Sequence, residues 1–224
     1  FLKKLGCNIN LVGKRSLDII GVKKLRSASH KVIFDRIEAG TYIIAAALTK
    51  GHLKIKNVNA KIISTEINIL KRMGVNIIKK KNYIIASRFQ KLKSININTK
   101  PYPGFPTDLQ AQIMVLMIKA VGVSQIKENI FENRFMHVSE LKRMGANIEI
   151  KGSNAKIFGK SKLNGAELMA TDLRASVCLV LAGLVASNTT VVNRIYHLDR
   201  GYESIENKLS ACGAKISRVN DKIK

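Results

Sequence analysis

The chain has no tryptophan, three prolines, three cysteines and 15 acidic side chains against 39 basic ones in 224 residues. Each shortage excludes something. Cys7, Cys178 and Cys212 form no CxxC pair and fall in hydrophobic patterns, which argues against a disulfide framework or a zinc site and for a reducing compartment. The longest nearly apolar stretch, residues 175–186, is shorter than the roughly 18 residues that cross a bilayer, so no membrane partner is expected. No basic segment with an apolar run and a cleavage site opens the chain. The few aromatics do not alternate with basic residues, so no platform for stacking bases is formed. The net charge of +24 is mostly scattered lysine. It reads as a solvated surface shaped by drift toward A/T-rich codons, with non-specific polyanion binding as the open remainder and no specific nucleic acid expected. GxGxxG, P-loop, GxSxG and HExxH motifs are absent. What remains is a folded chain of one or two domains, 46% hydrophobic and 24% charged.

Self-similarity organises it. Leu2-Lys-Lys-Leu-Gly6, Leu70-Lys-Arg-Met-Gly74, Leu141-Lys-Arg-Met-Gly145 and Leu209-Ser-Ala-Cys-Gly213 recur about every 70 residues. Each predicts an amphipathic surface helix ended by glycine in the left-handed conformation, followed by a strand. Turn signals at Lys80-Lys81-Asn82 and Gly152-Ser153-Asn154 make that strand the first arm of a hairpin. A second kind of helix begins at Asp35-Arg-Ile-Glu38, Thr107-Asp-Leu-Gln110 and Thr171-Asp-Leu-Arg174. The first two match a capping box. The residues that follow, 42–48, 113–118 and 177–186, have no polar face and belong inside a domain. The repeating unit is strand, buried helix, strand, surface helix, hairpin.

Three units span residues 35–224. Residues 1–34 hold the end of a preceding unit: a surface-helix tail, a hairpin over residues 9–20 and a strand near residues 31–34. A repeat that starts mid-unit, on Phe1 where methionine is expected, points to a start farther upstream. Three buried helices with sheets outside them make an inside-out α/β barrel of pseudo-threefold symmetry.

The three helix starts converge on a region whose free amides favour anions. Arg174, a cation in a first turn, is explained either by a negative ligand or by a neighbouring acid. Asp35, Asp108 and Asp172 serve equally well as helix-start acids. Asp108 differs, because all three prolines lie in Pro101-Tyr-Pro-Gly-Phe-Pro106 just before it and stiffen its approach. His137 and His197 lack metal-ligand spacing and read as structural, and Cys178 and Cys212 read as packing residues.

These segments resemble the UDP-N-acetylglucosamine enolpyruvyl transferase family. The resemblance rests on Asp35-Arg-Ile-Glu-Ala-Gly-Thr41, Pro103-Gly-Phe-Pro-Thr-Asp-Leu-Gln-Ala-Gln112, Glu128-Asn-Ile-Phe-Glu-Asn-Arg-Phe-Met-His137, Ala170-Thr-Asp-Leu-Arg-Ala175 and His197-Leu-Asp-Arg-Gly-Tyr-Glu203. It implies two inside-out barrels with the active site in the cleft between them, residues 1–34 being the tail of the first barrel and residues 35–224 the second. The implied reaction moves the enolpyruvyl group of phosphoenolpyruvate to the 3-hydroxyl of UDP-N-acetylglucosamine and releases phosphate, through a tetrahedral adduct, without metal or organic cofactor. It serves peptidoglycan synthesis in the cytoplasm, and with it cell-wall biogenesis, cell shape and division.

By the same resemblance Asp108 binds the sugar 3-hydroxyl and acts as its base, and Asp172 is a second cleft acid. Ile130 contacts the nucleotide through its backbone and Phe131 lies beside the uracil. Arg174 and Arg200 hold phosphoenolpyruvate, and Arg134 lines the cleft. The family's Lys-Asn pair for phosphoenolpyruvate and its mobile loop bearing the general acid have no counterpart here. The expectation is a C-terminal portion that is inactive until a complementary N-terminal half joins it. The alternative is a non-catalytic remnant or ligand-binding module.

Overall fold

The structure, a computed structural model, describes residues 1–14 and 16–219. They fall into two units, Phe1–Phe34 and Asp35–Lys224. In the first, β1 (Asn8–Val12) and β2 (Ser16–Ile20) form an antiparallel hairpin. The expected helix tail is a turn closed by Lys4 N–H to Phe1 O and Gly6 N–H to Lys3 O. The strand expected near residues 31–34 does not form; Val32 and Ile33 are exposed, and without a paired neighbour an extended segment has no ladder.

The second unit follows the repeat. Its first copy is α1 (Arg36–Leu48), β3 (His52–Lys56), α2 (Ser64–Arg72), β4 (Asn76–Lys79) and β5 (Tyr83–Ser87), with the strands ordered β3-β5-β4 and antiparallel. The second is β6 (Asn96–Asn98), α3 (Gln110–Ile118), β7 (Val123–Lys127), α4 (His137–Arg143), β8 (Asn147–Lys151) and β9 (Asn154–Phe158). Its sheet runs β6-β7-β9-β8, with β6 parallel to β7. The third is β10 (Glu167–Met169), α5 (Leu173–Gly183), β11 (Val191–Asn193), α6 (Tyr196–Asp199) and α7 (Ile205–Ala211), with β10 parallel to β11. No strand follows Gly213 among the described residues.

Burial separates the two helix types. Every residue of α3 is buried, as are residues 39–41 and 43–48 of α1 and residues 175–182 of α5, and α3 packs against both of the others. A helix of this kind is stable only when covered all round. By contrast α2 buries Ile67 and Leu70 and turns Lys71 and Arg72 outward. The strands alternate: Ile84 and Ala86 of β5, Ser124 and Ile126 of β7, and Ala155 and Ile157 of β9 face inward. The second unit is an inside-out α/β barrel of three repeats. The four glycines of the repeat share one backbone state, with φ of 97° at Gly6, Gly74 and Gly145 and 94° at Gly213. A side chain is strained there, which is why glycine stands at this position in all four copies.

Candidate active site

The starts of the central helices are built differently. Asp35 caps α1, its Oδ1 accepting from Ile37 N–H (2.7 Å) and Glu38 N–H (3.2 Å). Asp172 caps α5 through Arg174 N–H (2.7 Å) and Ala175 N–H (3.1 Å). Asp108 caps nothing. Pro106 precedes a single 3₁₀ turn over Thr107–Leu109, which places Asp108 inside the turn with its carboxylate released from the backbone. Neither expected capping box closes. Glu38 takes Lys208 Nζ at 3.0 Å instead, and the Thr107 hydroxyl donates to Glu128 Oε2 at 2.9 Å.

The released carboxylate meets the next repeat. Arg174 Nε and Nη2 both stand 2.5 Å from Asp108 Oδ1, and Arg134 Nη1 lies 3.9 Å from the same oxygen. Arg174 thus has the neighbouring acid that one of its two explanations calls for. Asp108 Oδ2 has no hydrogen-bond partner among the described residues, and the side chain is 41% exposed. Arg134 is more enclosed. Burial, then the charge of Arg174, pulls its pKa down, against Asp108, Glu128 and Asp172. Its guanidinium lies 4.2 Å from the centroid of the exposed Phe131 ring.

Two supports hold this arrangement. On one side, the Thr65 hydroxyl donates to Pro103 O at 2.6 Å and Arg36 lies 5.0 Å from the Tyr102 ring centroid, so the proline loop leans on the first repeat. Arg36 is in turn paired with buried Glu66 at 2.8 Å. Behind Asp108, Gln112 Nε2 donates to Asp108 O (2.9 Å) and shares its second proton between Tyr202 Oη (3.3 Å) and Thr41 Oγ1 (3.4 Å), two hydroxyls that are 2.9 Å apart. That cluster takes one residue from each repeat and ties α1 and α3 to the segment between α6 and α7. Gly40 lets α1 approach: a Cβ there would stand 2.6 Å from Leu109 Cδ1.

Asp108, Arg134, Arg174 and Phe131 are joined by contact, and Asp172 reaches them through its charge. Ile130 enters by its backbone, its N–H donating to Glu128 Oε1 at 2.8 Å. Arg200 ends α6, exposed, with no side-chain hydrogen bond or ion pair among the described residues. Its neighbour Gly201 abuts the first turn of α5, where a Cβ would stand 2.9 Å from Leu173 Cδ2. His137 is buried; burial pushes its pKa down to about 4, against the charge of Asp172 and a hydrogen bond with the Arg134 backbone. Cys178 is buried and its thiol pKa raised, whereas Cys212, expected to pack, is exposed. No group of three or more His, Cys, Asp or Glu among the described residues is placed to hold a metal, and none of the helices among them is long and apolar enough to cross a membrane. Sequence reasoning made Thr107 a helix cap and gave no role to Glu128, Gln112, Thr41 or Tyr202, although all five lie in the quoted motifs.

Comparison with known proteins places the chain in a family and a fold. The family model described as EPSP synthase (3-phosphoshikimate 1-carboxyvinyltransferase) matches residues 1–209. The UDP-N-acetylglucosamine 1-carboxyvinyltransferase of Pelagibacter ubique (strain HTCC1062) is 62% identical over 220 residues, 98% of this chain and 53% of its own length. That of Geotalea uraniireducens (strain Rf4) is 55% identical over the same shares. The chain spans about half the length of the curated relatives it matches. Among solved structures, the enolpyruvyl transferase NikO from Streptomyces tendae superposes with a TM-score of 0.88 at 28% identity, over 96% of this chain and 52% of that one. EPSP synthase from Acinetobacter baumannii gives 0.77 at 18% identity, over 98% and 54%, and shares the fold.

Proposed function

The chain belongs to the EPSP synthase family of enolpyruvyl transferases, and from that membership we propose that it is the C-terminal portion of a UDP-N-acetylglucosamine 1-carboxyvinyltransferase. The observation that carries the reading is the 62% identity to such an enzyme across 98% of the chain. Residues 1–34 belong to the tail of the first barrel and residues 35–224 form the second. Asp108 keeps one oxygen on the Arg174 fork and offers the other to the sugar 3-hydroxyl, taking its proton as that oxygen attacks the enolpyruvyl carbon. Arg174 and Arg200 supply cations for the phosphate and carboxylate of phosphoenolpyruvate, a role suited to planar guanidinium groups, and Arg134 lines the same cleft. Asp172 supplies a second carboxylate in the cleft, and Ile130 and Phe131 receive the nucleotide. The reaction takes place in the cytoplasm, as a step of peptidoglycan synthesis, and needs no cofactor.

The Lys-Asn pair and the general-acid loop come from a complementary N-terminal half. The test is phosphate release from phosphoenolpyruvate and UDP-N-acetylglucosamine, measured with the chain alone and after mixing or co-expression with that half. The expected result is turnover only with both. Turnover by the chain alone would overturn the division of labour. No turnover and no sugar-nucleotide binding by the reconstituted pair would favour the non-catalytic remnant.

A further inference from the structure

Glu128 has more hydrogen bonds than any other acid in the described residues, and the barrel alone does not account for them. Its Oε1 accepts from Thr99 Oγ1 (2.8 Å), Ile130 N–H (2.8 Å) and Phe131 N–H (3.3 Å), and its Oε2 accepts from Thr107 Oγ1 (2.9 Å). The residue is 3% exposed. Thr99 Oγ1 also accepts from Asn129 N–H at 2.8 Å, so the first residues after β7 are all tied to one point.

The repeat shows that the fold does not require an acid there. The corresponding positions, one residue beyond β3 and β11, are Asn57 and Arg194, and both turn the chain with φ of 59°. Glu128 is not in that left-handed state; its repeat replaces the turn with a carboxylate that gathers two separate segments. One segment is Ile130–Phe131. The other is Thr107, the residue before Asp108. Among the described residues, the other polar link between residues 107–108 and residues 128–134 is Arg134 to Asp108 at 3.9 Å, too long for a hydrogen bond. The Glu128 carboxylate is the hydrogen-bonded bridge.

We propose that Glu128 is a positioning residue: its buried carboxylate locks the Asp108 loop and the Ile130–Phe131 loop into one frame, so that the group facing the sugar hydroxyl and the group facing the nucleotide keep a fixed separation. The functional meaning rests on the reading above; the mechanical claim does not. One chemical consequence follows. The Ile130 N–H is already donated to Glu128, so any backbone contact Ile130 makes to a ligand is through its carbonyl, which reads a donor.

The experiment uses the full chain, by amide hydrogen exchange and by the ¹H–¹⁵N signal of Arg174 Nε, which reports its contact with Asp108. In Glu128→Ala, exchange at Ile130 and Phe131 is expected to rise at least tenfold and the Arg174 signal to shift, while the β8 and β9 amides keep wild-type protection. Thr107→Val removes only the bridge to Asp108: the Arg174 signal shifts and the Ile130 amide stays slow. This second variant keeps the test decisive if Glu128→Ala fails to fold. A uniform rise in exchange across the barrel, or an unmoved Arg174 signal in Thr107→Val, would overturn the proposal. Addition of UDP-N-acetylglucosamine to the reconstituted pair tests the function separately. No shift at Ile130 or Phe131 on that addition counts against the substrate reading, whichever way the exchange result falls.

Discussion

Two guanidinium nitrogens on a single oxygen of Asp108 leave the second oxygen open, and this division decides what substitutions should do. Arg174→Lys keeps the charge but loses the planar fork, so Asp108 is no longer held at a fixed angle. Asp108→Asn keeps the shape but cannot take a proton. In the reconstituted enzyme Asp108→Asn is expected to lower the rate of phosphate release by about 10²–10⁴-fold, the usual worth of a general base. Arg174→Lys should fall between that variant and wild type. His137 carries a different expectation. Its pKa is near 4 in the folded chain, against about 6.5 unfolded. Between those values the unfolded chain binds the extra proton, so stability should fall as pH falls from about 6.5 to 4, by roughly 3 kcal/mol in all. Above pH 6.5 the penalty is absent. Urea titrations across this range should show the loss, and His137→Gln should flatten it.

At the scale of elements, the three helix starts that look alike in sequence separate into two caps and one free acid. Asp35→Ala should cost about 1 kcal/mol of stability through its lost cap bonds. Asp108→Ala removes no cap and should instead leave Arg174 and Arg134 facing each other without their shared anion. Thermal unfolding of the two variants at low and high salt distinguishes the cases, because the repulsion between two guanidinium groups depends more steeply on salt than the loss of cap hydrogen bonds. The helices, their order and the glycine stops were legible because apolar periodicity and a left-handed glycine are local properties. The proline loop was legible as rigid, but its consequence, a 3₁₀ turn that moves Asp108 off the cap, depends on Pro106 at the preceding position. The strand near residues 31–34 was misread because extended structure needs a paired neighbour, which local sequence does not reveal. Glu128 and Tyr202 went unread for a related reason. Their partners lie 29 and 161 residues away, Thr99 for the one and Thr41 for the other.

Across the whole second unit, the buried polar cluster of Thr41, Gln112 and Tyr202 joins all three repeats at one point. Tyr202→Phe keeps the ring and removes the hydroxyl, leaving buried Thr41 and Gln112 short of a partner. The expected cost is about 1–3 kcal/mol in urea unfolding, that of an unsatisfied buried group. The first unit poses the opposite problem. Leu11, Val12, Leu17, Ile19 and Ile20 of its hairpin are 55–67% exposed, and a two-stranded sheet has two open edges. A lone hairpin in water is marginal, and exposed apolar strands associate. If residues 1–34 belong to a first barrel, as proposed, the complementary half should cover these side chains and pair these edges. Purified alone, the chain is expected to show concentration-dependent association by light scattering, and its charge should slow that process without abolishing it. Co-expressed with the N-terminal half, it should elute as a single species whose β1 and β2 amides gain protection from exchange. Replacing Leu17 and Ile19 with serine should reduce self-association of the isolated chain and weaken capture of the half together, since both processes would use the same face. A monodisperse monomer whose hairpin gains no protection from the half would remove the complementary-half model. The sites on the second unit would then have to be explained without it.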